Sequence, residues 1–246
     1  MKAIIVDDER LARKELRSLL EKIDDLEIIS EASNADEAFE QIQEEEPDVV
    51  FLDIQMPEKT GFDLLEMLPS VPRVVFTTAY DEYALQAFEI NALDYLLKPI
   101  DPNRLTEAVD KIRQLVAAED SVQDSESRKG KANQKLDAGD QVFVKDGEKC
   151  WFVKLEDIRL FESDGNYVKV FFDTFRPLIH RSLNALDERL DEKMFFRASR
   201  KYIINLKWIE KIEPWFNGGL MVSLRGGQKV EISRRQAAKF KEKLSL

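Results

Sequence analysis

Cysteine and histidine are almost missing from this sequence, with one of each, Cys150 and His180, in 246 residues. A single cysteine excludes an internal disulfide framework and fits a reducing compartment. One histidine and one cysteine supply too few ligands for a zinc site and make a Cys/His nucleophile pair a poor prospect. Long apolar runs are missing as well, so no transmembrane helix is expected. Met1-Lys2-Ala3-Ile4-Ile5-Val6 reaches Asp7-Asp8 too soon to form the apolar core of a secretion signal. These absences lead to the expectation of a soluble, cytoplasmic protein with no membrane partner.

Basic charge is scarce at first and abundant later. Residues 1–120 hold 29 Asp and Glu against 12 Lys and Arg, whereas residues 121–246 hold 19 against 25. The formal charge of -11 thus conceals an acidic half followed by a basic half. Such an asymmetry predicts two functions, with the basic half suited to a polyanion. A chain of 246 residues has room for two modest domains.

What the first half does contain is a series of short apolar runs that stop at polar residues. Lys2–Val6 ends in Asp7-Asp8-Glu9, the run from Pro47 ends in Asp53, and Arg73–Phe76 ends in Thr77-Thr78. Leu26–Ser30 and Asp94–Leu97 are further strands, the last ending in Lys98-Pro99. Uniformly apolar strands are those buried on both faces, as in a parallel sheet. Helical spacing marks Arg10–Ile23, with Leu11, Leu16, Leu19, Leu20 and Ile23. Ser33-Asn34-Ala35-Asp36 resembles a capping box that opens a second helix. After Met56-Pro57 turns the chain, Gly61 continues the loop and Phe62–Leu68 is helical. Tyr83–Ile90 is a further helix, and a last one starts at Pro102 with Leu105, Val109, Ile112 and Leu115 on one face. Five strands alternating with five helices predict an α/β fold, a doubly wound five-stranded parallel sheet with helices on both faces. The C-terminal ends of all strands then share one edge, where open α/β sheets bind ligands. That edge gathers Asp7, Asp8, Asp53, Thr78 and Lys98 from distant parts of the chain.

The chemistry of such a set is specific. Three carboxylates at one spot repel unless a cation neutralises them, and a hard, oxygen-liganded ion such as Mg²⁺ suits them. A lysine ammonium and a threonine hydroxyl are donors matched to phosphoryl oxygens. An aspartate between them can act as nucleophile toward a phosphoryl group. Taken singly, Asp7, Asp53 and Thr78 read as helix caps, Tyr95 as a half-buried strand residue and Lys98 as a surface residue. Their joint arrival at one edge favours the chemical reading. Phosphohydrolases that form an aspartyl-phosphate also fit a strand-end aspartate, but they use a second aspartate two residues on as general acid. Gln55 occupies that position and cannot donate a proton in that role, so the chain is not read as an enzyme.

Val6-Asp7-Asp8-Glu9, Leu52-Asp53-Ile54-Gln55-Met56-Pro57, Thr77-Thr78-Ala79 and Asp94-Tyr95-Leu96-Leu97-Lys98-Pro99 together resemble the receiver domain of two-component response regulators, over residues 1–118. The resemblance implies a flavodoxin-like fold in which Asp53 accepts a phosphoryl group from a sensor histidine kinase. It implies Mg²⁺ ligands at Asp8 and Asp53, at Asp7 through water, and at Gln55 through its backbone carbonyl. Thr78 and Lys98 would hold the phosphoryl oxygens, Tyr95 would be the aromatic switch, and Lys98-Pro99 would be a cis peptide.

Residues 119–139 are polar and charged and cannot bury a core, which predicts a flexible linker. Beyond it the pattern changes to short runs around turn residues. Gln141–Lys145 with Cys150–Val153, Ile158–Phe161 with Tyr167–Phe172, and Leu220–Leu224 with Lys229–Ile232 read as hairpins. Tyr202–Leu206 is another strand. Ser182–Leu190 is a short helix with Ser182 as N-cap. A second capping box, Ser233-Arg234-Arg235-Gln236, opens a last helix to about Lys243. No helix-turn-helix pattern is present. Arg234 and Arg235 fall in a first helical turn, where the macrodipole disfavours cations unless an anionic partner offsets it.

Phe161-Glu162-Ser163, Phe195 through Leu206, and Val230-Glu231-Ile232-Ser233-Arg234-Arg235 resemble the LytTR-type DNA-binding domain over residues 140–246. The resemblance implies a mainly β structure that reads double-stranded DNA with loops. It implies base readers at Asn166, Tyr167, Arg200 and Arg235, with Ser199 standing where many members have histidine. Lys169 and Lys201 would mainly hold phosphates, and Arg234 completes the DNA-binding set. The whole chain then reads as a response regulator of the LytR/AlgR type that dimerises when phosphorylated or on promoter direct repeats. The alternative is a receiver whose basic half binds protein or RNA instead.

Overall fold

A computed structural model of the chain describes residues 1–79, 94–120, 135–147 and 149–244. The helix expected over Tyr83–Ile90 and most of the stretch 119–139 lie outside the described residues. The chain divides into two compact units. One comprises Met1–Asn133 with Gln141–Phe143 and Gly147–Phe152, the other Gln134–Asp140, Val144–Asp146 and Val153–Leu246.

The first unit is an α/β layer structure. Strands β1 (Lys2–Val6), β2 (Glu27–Ala32), β3 (Val49–Asp53), β4 (Arg73–Thr78) and β5 (Asp94–Leu97) form one sheet in the order β2-β1-β3-β4-β5. All its pairings are parallel. The two-residue period of the strands distributes their apolar side chains to both faces. Ile4, Val6, Val50 and Leu52 point into a core shared with α2 (Ala35–Glu45) and α3 (Gly61–Met67). Ala3, Ile5, Val49 and Phe51 point into the opposite core, with Leu16 and Leu20 of α1 (Arg10–Leu20) and Leu105, Val109 and Ile112 of α4 (Pro102–Asp120). The sheet is therefore doubly wound, and the run Val49–Asp53 is buried throughout because it is central.

Two leucines depart from the expected core. Leu11 is 81 % exposed, because the buried stripe of α1 runs through Leu16 and Leu20. At 100° per residue, a position five residues before Leu16 lies about 140° away from it. Leu115 is also exposed, since the stripe of α4 continues from Ile112 to Val116 instead. The caps differ as well. Asn34, not Ser33, caps α2, accepting from the Glu37 amide at 2.9 Å, while the Glu37 carboxylate reaches back to the Ser33 amide at 2.8 Å. A capping box absent from the sequence reading opens α3, with Thr60 and Asp63 each accepting from the other's backbone N–H.

The second unit is mainly β. Strands β8 (Ile158–Asp164), β9 (Tyr167–Phe172), β10 (Leu178–Ile179), β11 (Phe195–Arg197) and β12 (Tyr202–Asn205) make a sheet in the order β10-β9-β8-β12-β11. A three-stranded sheet joins β13 (Ile209–Pro214), β14 (Leu220–Leu224) and β15 (Lys229–Ile232). Of the paired strands β6 (Gln141–Asp146) and β7 (Lys149–Lys154), residues 141–143 and 149–152 belong to the first unit. Helix α5 (Leu183–Arg189) is capped by Ser182, whose hydroxyl accepts from the Ala185 amide at 3.1 Å. Helix α6 (Arg234–Lys243) buries Ala237 and Phe240 against the three-stranded sheet. Ser233 takes its N-cap position, but its hydroxyl makes no cap hydrogen bond, so the expected capping box is not formed. Among the described residues no helix is long and apolar enough to cross a membrane.

Candidate functional site

Three strand ends build an acidic pocket on the first unit. Asp53 is the last residue of β3 and is 5 % exposed; Asp7 follows β1 and is 1 % exposed. Lys98 follows β5, and its ammonium bridges the two carboxylates, 2.6 Å from Asp7 Oδ2 and 2.8 Å from Asp53 Oδ2. Asp8 is half-buried beside them, and one carboxylate oxygen from each of Asp7, Asp8 and Asp53 lies within 4.8 Å of the others. Backbone amides fix two of these groups. The Glu9 N–H donates to Asp7 Oδ1 at 2.9 Å, and the Gln55 N–H donates to Asp53 Oδ1 at 3.2 Å.

Electrostatics match this geometry. Burial pushes the Asp53 carboxyl above its ordinary pKa, and the hydrogen bond and charge of Lys98 pull it only part of the way back. Burial alone would lower the Lys98 ammonium, but its bonds to Asp53 and Asp7 outweigh that and hold it above the ordinary lysine value. The pocket thus concentrates anionic oxygens in a low-dielectric recess with a single lysine between them. Hard carboxylate oxygens so close together fit a divalent cation such as Mg²⁺.

The remaining residues expected here are placed around that pocket. Thr78 is fully buried at the end of β4, and its carbonyl accepts from the Lys98 amide at 2.8 Å. Gln55 is exposed on the turn after β3. Tyr95 is half-buried on β5, paired in register with Phe76 and packed on the core shared with α2 and α3. The Lys98–Pro99 peptide is cis.

Two residues that shape the pocket were not recognised from the sequence. Gly61 is the first residue of α3, not a loop residue, and a Cβ built there would stand 2.3 Å from the Asp53 carbonyl oxygen. Only glycine lets α3 start this close to β3. A glycine just inside a Thr-capped helix was the available signal. Arg13 of α1 donates to the Asp7 carbonyl at 2.6 Å and the Asp8 carbonyl at 3.2 Å, with Glu31 3.4 Å away as its counter-ion. Nothing in the linear sequence pairs Arg13 with Glu31.

The second unit carries its candidate residues on three separate turns. Asn166 and Tyr167 are exposed at the β8–β9 turn, where Gly165 takes the positive φ of 62°. Ser199, Arg200 and Lys201 form the β11–β12 turn, and Arg234 and Arg235 begin α6. The cations fall into two groups. Lys169 pairs with Asp164 at 2.9 Å and Lys201 with Glu162 at 2.9 Å. The guanidinium groups of Arg200, Arg234 and Arg235 are exposed and have no ion-pair partner among the described residues.

Arg197, which the sequence alone does not single out, organises the β11–β12 turn. Its guanidinium donates to the carbonyls of Ser199 at 2.6 Å, Leu183 at 2.8 Å and Arg200 at 3.2 Å, and to Asn184 Oδ1 at 3.2 Å. Burial lowers its pKa from the usual arginine value. The Lys201 amide completes the turn by donating to Ser199 Oγ at 3.1 Å.

Comparison with known proteins accounts for both halves. Residues 3–110 match the response regulator receiver domain, and residues 148–245 match the LytTr DNA-binding domain. The chain is 35 % identical over 249 residues to the sensory transduction protein LytT of Enterococcus faecalis, with 100 % of both chains covered. It is 34 % identical over 249 residues to the transcriptional regulatory protein LytR of Staphylococcus aureus, again with 100 % of both covered. An uncharacterized response regulatory protein of Vibrio cholerae is 38 % identical over 247 residues, covering 99 % of this chain and 98 % of that one. A parallel α/β unit with an acidic strand-end pocket, a β-rich unit with exposed arginines, and full-length similarity to LytT and LytR place this chain in the LytT/LytR family of response regulators, transcription regulators and not enzymes.

Proposed function

We propose that Asp53 is the phosphoacceptor of this regulator and that its phosphorylation controls sequence-specific binding of promoter DNA. The observation that carries this reading is the Lys98 ammonium held between Asp7 and Asp53 at a buried strand edge. A sensor histidine kinase supplies the phosphoryl group. One Asp53 carboxylate oxygen forms the new O–P bond as the P–N bond of the donor phosphohistidine breaks and the imidazole leaves. Asp7, Asp8 and Asp53, with the backbone carbonyl of Gln55, would hold Mg²⁺ there. Such a cation would supply charge that offsets the negative charge gathered during transfer. Lys98 turns from the carboxylates to the phosphoryl oxygens, and the Thr78 hydroxyl donates to another. Movement of Thr78 draws Tyr95 inward, which shifts a two-state receiver.

The receiver comprises residues 1–118, the linker 119–139 and the DNA-binding domain 140–246, all in the cytoplasm. Asn166, Tyr167, Arg200 and Arg235 read base edges, and Ser199 adds a hydroxyl at the middle turn. Lys169, Lys201 and Arg234 serve the phosphate backbone. Phosphorylation favours a homodimer, which sets two reading units on direct repeats and raises avidity. Selection from random duplex DNA, with the full chain and a phosphoryl mimic bound, tests this reading. One enriched repeated motif is expected, and failure to enrich any sequence overturns sequence-specific DNA binding.

A further inference from the structure

The β13–β14 turn presents two aromatic rings to solvent. Phe216 is 75 % exposed and Trp215 is 40 % exposed, with ring centroids 4.9 Å apart at an interplanar angle of 74°. This is a fixed platform, because the turn is closed by hydrogen bonds. The Trp215 N–H donates to the Gly219 carbonyl at 2.9 Å, and the Gly219 N–H donates to the Phe216 carbonyl at 3.0 Å. Asn217 and Gly218 take the positive φ values of 55° and 79° that the reversal requires.

Its position in the unit is specific. A Cβ on Gly219 would stand 2.8 Å from the Ile232 carbonyl oxygen, so the turn sits directly on the end of β15. A Cβ on Gly218 would lie 3.6 Å from Arg234 Cδ, so the stem of Arg234 runs along the turn. The apolar rings therefore border the first turn of α6, which carries no acidic residue. Arg234 and Arg235 stand there exposed and without ion-pair partners among the described residues. An apolar wedge beside the Arg234 side chain, at the basic start of α6, complements a surface of deoxyribose rings and thymine methyls bordered by phosphates.

We infer that the Trp215–Phe216 turn is an apolar contact element of the DNA-binding surface, packing on sugar and base edges beside the phosphate that Arg234 engages and the bases that Arg235 reads. This inference rests on the DNA-binding reading of Arg235. It commits to duplex DNA because the rings are continuous with the basic start of α6.

The test measures affinity of the full chain, with a phosphoryl mimic bound, for the duplex enriched by random selection, across a range of KCl concentrations. Phe216→Ala and Trp215→Ala are each expected to weaken binding about tenfold without changing the slope of log Kd against log salt, since an apolar contact releases no counterion. Arg234→Ala is expected to lower that slope by about one. Thermal melting of Phe216→Ala is expected to match that of the parent, because an exposed ring contributes little to the core. Unchanged affinity in both aromatic variants overturns the inference while leaving the DNA reading intact. A large loss of thermal stability assigns Phe216 to packing and also overturns it. So does intact DNA affinity with lost self-association, or with lost binding to vesicles of anionic lipid. If the parent chain enriches no sequence, the DNA reading fails first and this inference with it.

Discussion

Replacing Gly61 by alanine tests whether the acceptor pocket depends on the close approach of α3 to β3. The new Cβ would stand 2.3 Å from the Asp53 carbonyl oxygen and 3.1 Å from Leu52 Cγ, whereas ordinary contact begins at 3.4 Å. Relief therefore needs a backbone shift of about 1 Å in a close-packed interior. The obstacle cannot move cheaply, because β3 is paired on both sides, with β1 and with β4. Overpacking of this kind costs about 1–3 kcal/mol. Reduced freedom of the unfolded chain offsets about 0.4–1 kcal/mol of it. The net is roughly 1–2 kcal/mol, or a fall of about 4–8 °C in the melting of the first unit. Displacing Asp53 by a fraction of that shift should also slow phosphoryl acceptance from a small phosphodonor, on the order of 10–100-fold. Calorimetry and a labelling time course on the same preparation read both effects. A variant that melts at or above the parent and labels at the parental rate would refute the argument.

Arg197→Ala should release the β11–β12 turn by removing donors to three carbonyls and to Asn184; it is expected to destabilise the second unit by about 1–3 kcal/mol and to weaken specific DNA binding, read by melting and by anisotropy. Parental stability in that variant would show that the turn holds without it. Arg235→Ala should reduce affinity for the selected site by roughly 1–3 kcal/mol while sparing random duplex, and an equal loss on both would make Arg235 a phosphate contact only. Lys98→Met should leave the Asp7 and Asp53 carboxylates uncompensated. The expected loss is about 1–3 kcal/mol, below the value for a fully buried pair because Lys98 retains some exposure. Added Mg²⁺ should restore part of it, and a melting curve indifferent to both the substitution and the cation would contradict the pocket's electrostatics.

The parallel sheet was legible because its strands are buried on both faces and so read as uniform apolar runs that stop at the ligand edge. Asp7, Asp53 and Lys98 were reachable by that logic alone: once the strands are parallel, their C-terminal residues must converge. Close approaches were not legible. Gly61 looks like any turn glycine until its distance to the Asp53 carbonyl is known. Arg197 and Arg13 look like surface charge because their acceptors are backbone carbonyls, which leave no mark in the sequence. Strand β13 was missed for a different reason. Glu210, Lys211, Glu213 and Pro214 interrupt its apolar pattern, as suits a strand at the edge of its sheet. Helix periodicity misplaced Leu11 and Leu115, where choosing between three- and four-residue steps decides which side chain is buried.

The central claim is that one carboxylate couples phosphorylation to DNA binding. The most direct measurement treats the full chain and its Asp53→Asn variant with a small phosphodonor and Mg²⁺, then reads covalent label and affinity for the selected duplex together. The account predicts label and tighter binding in the parent, with neither in the variant. Label at the parental level in Asp53→Asn, or labelled parent that binds DNA no more tightly than unlabelled, would contradict it.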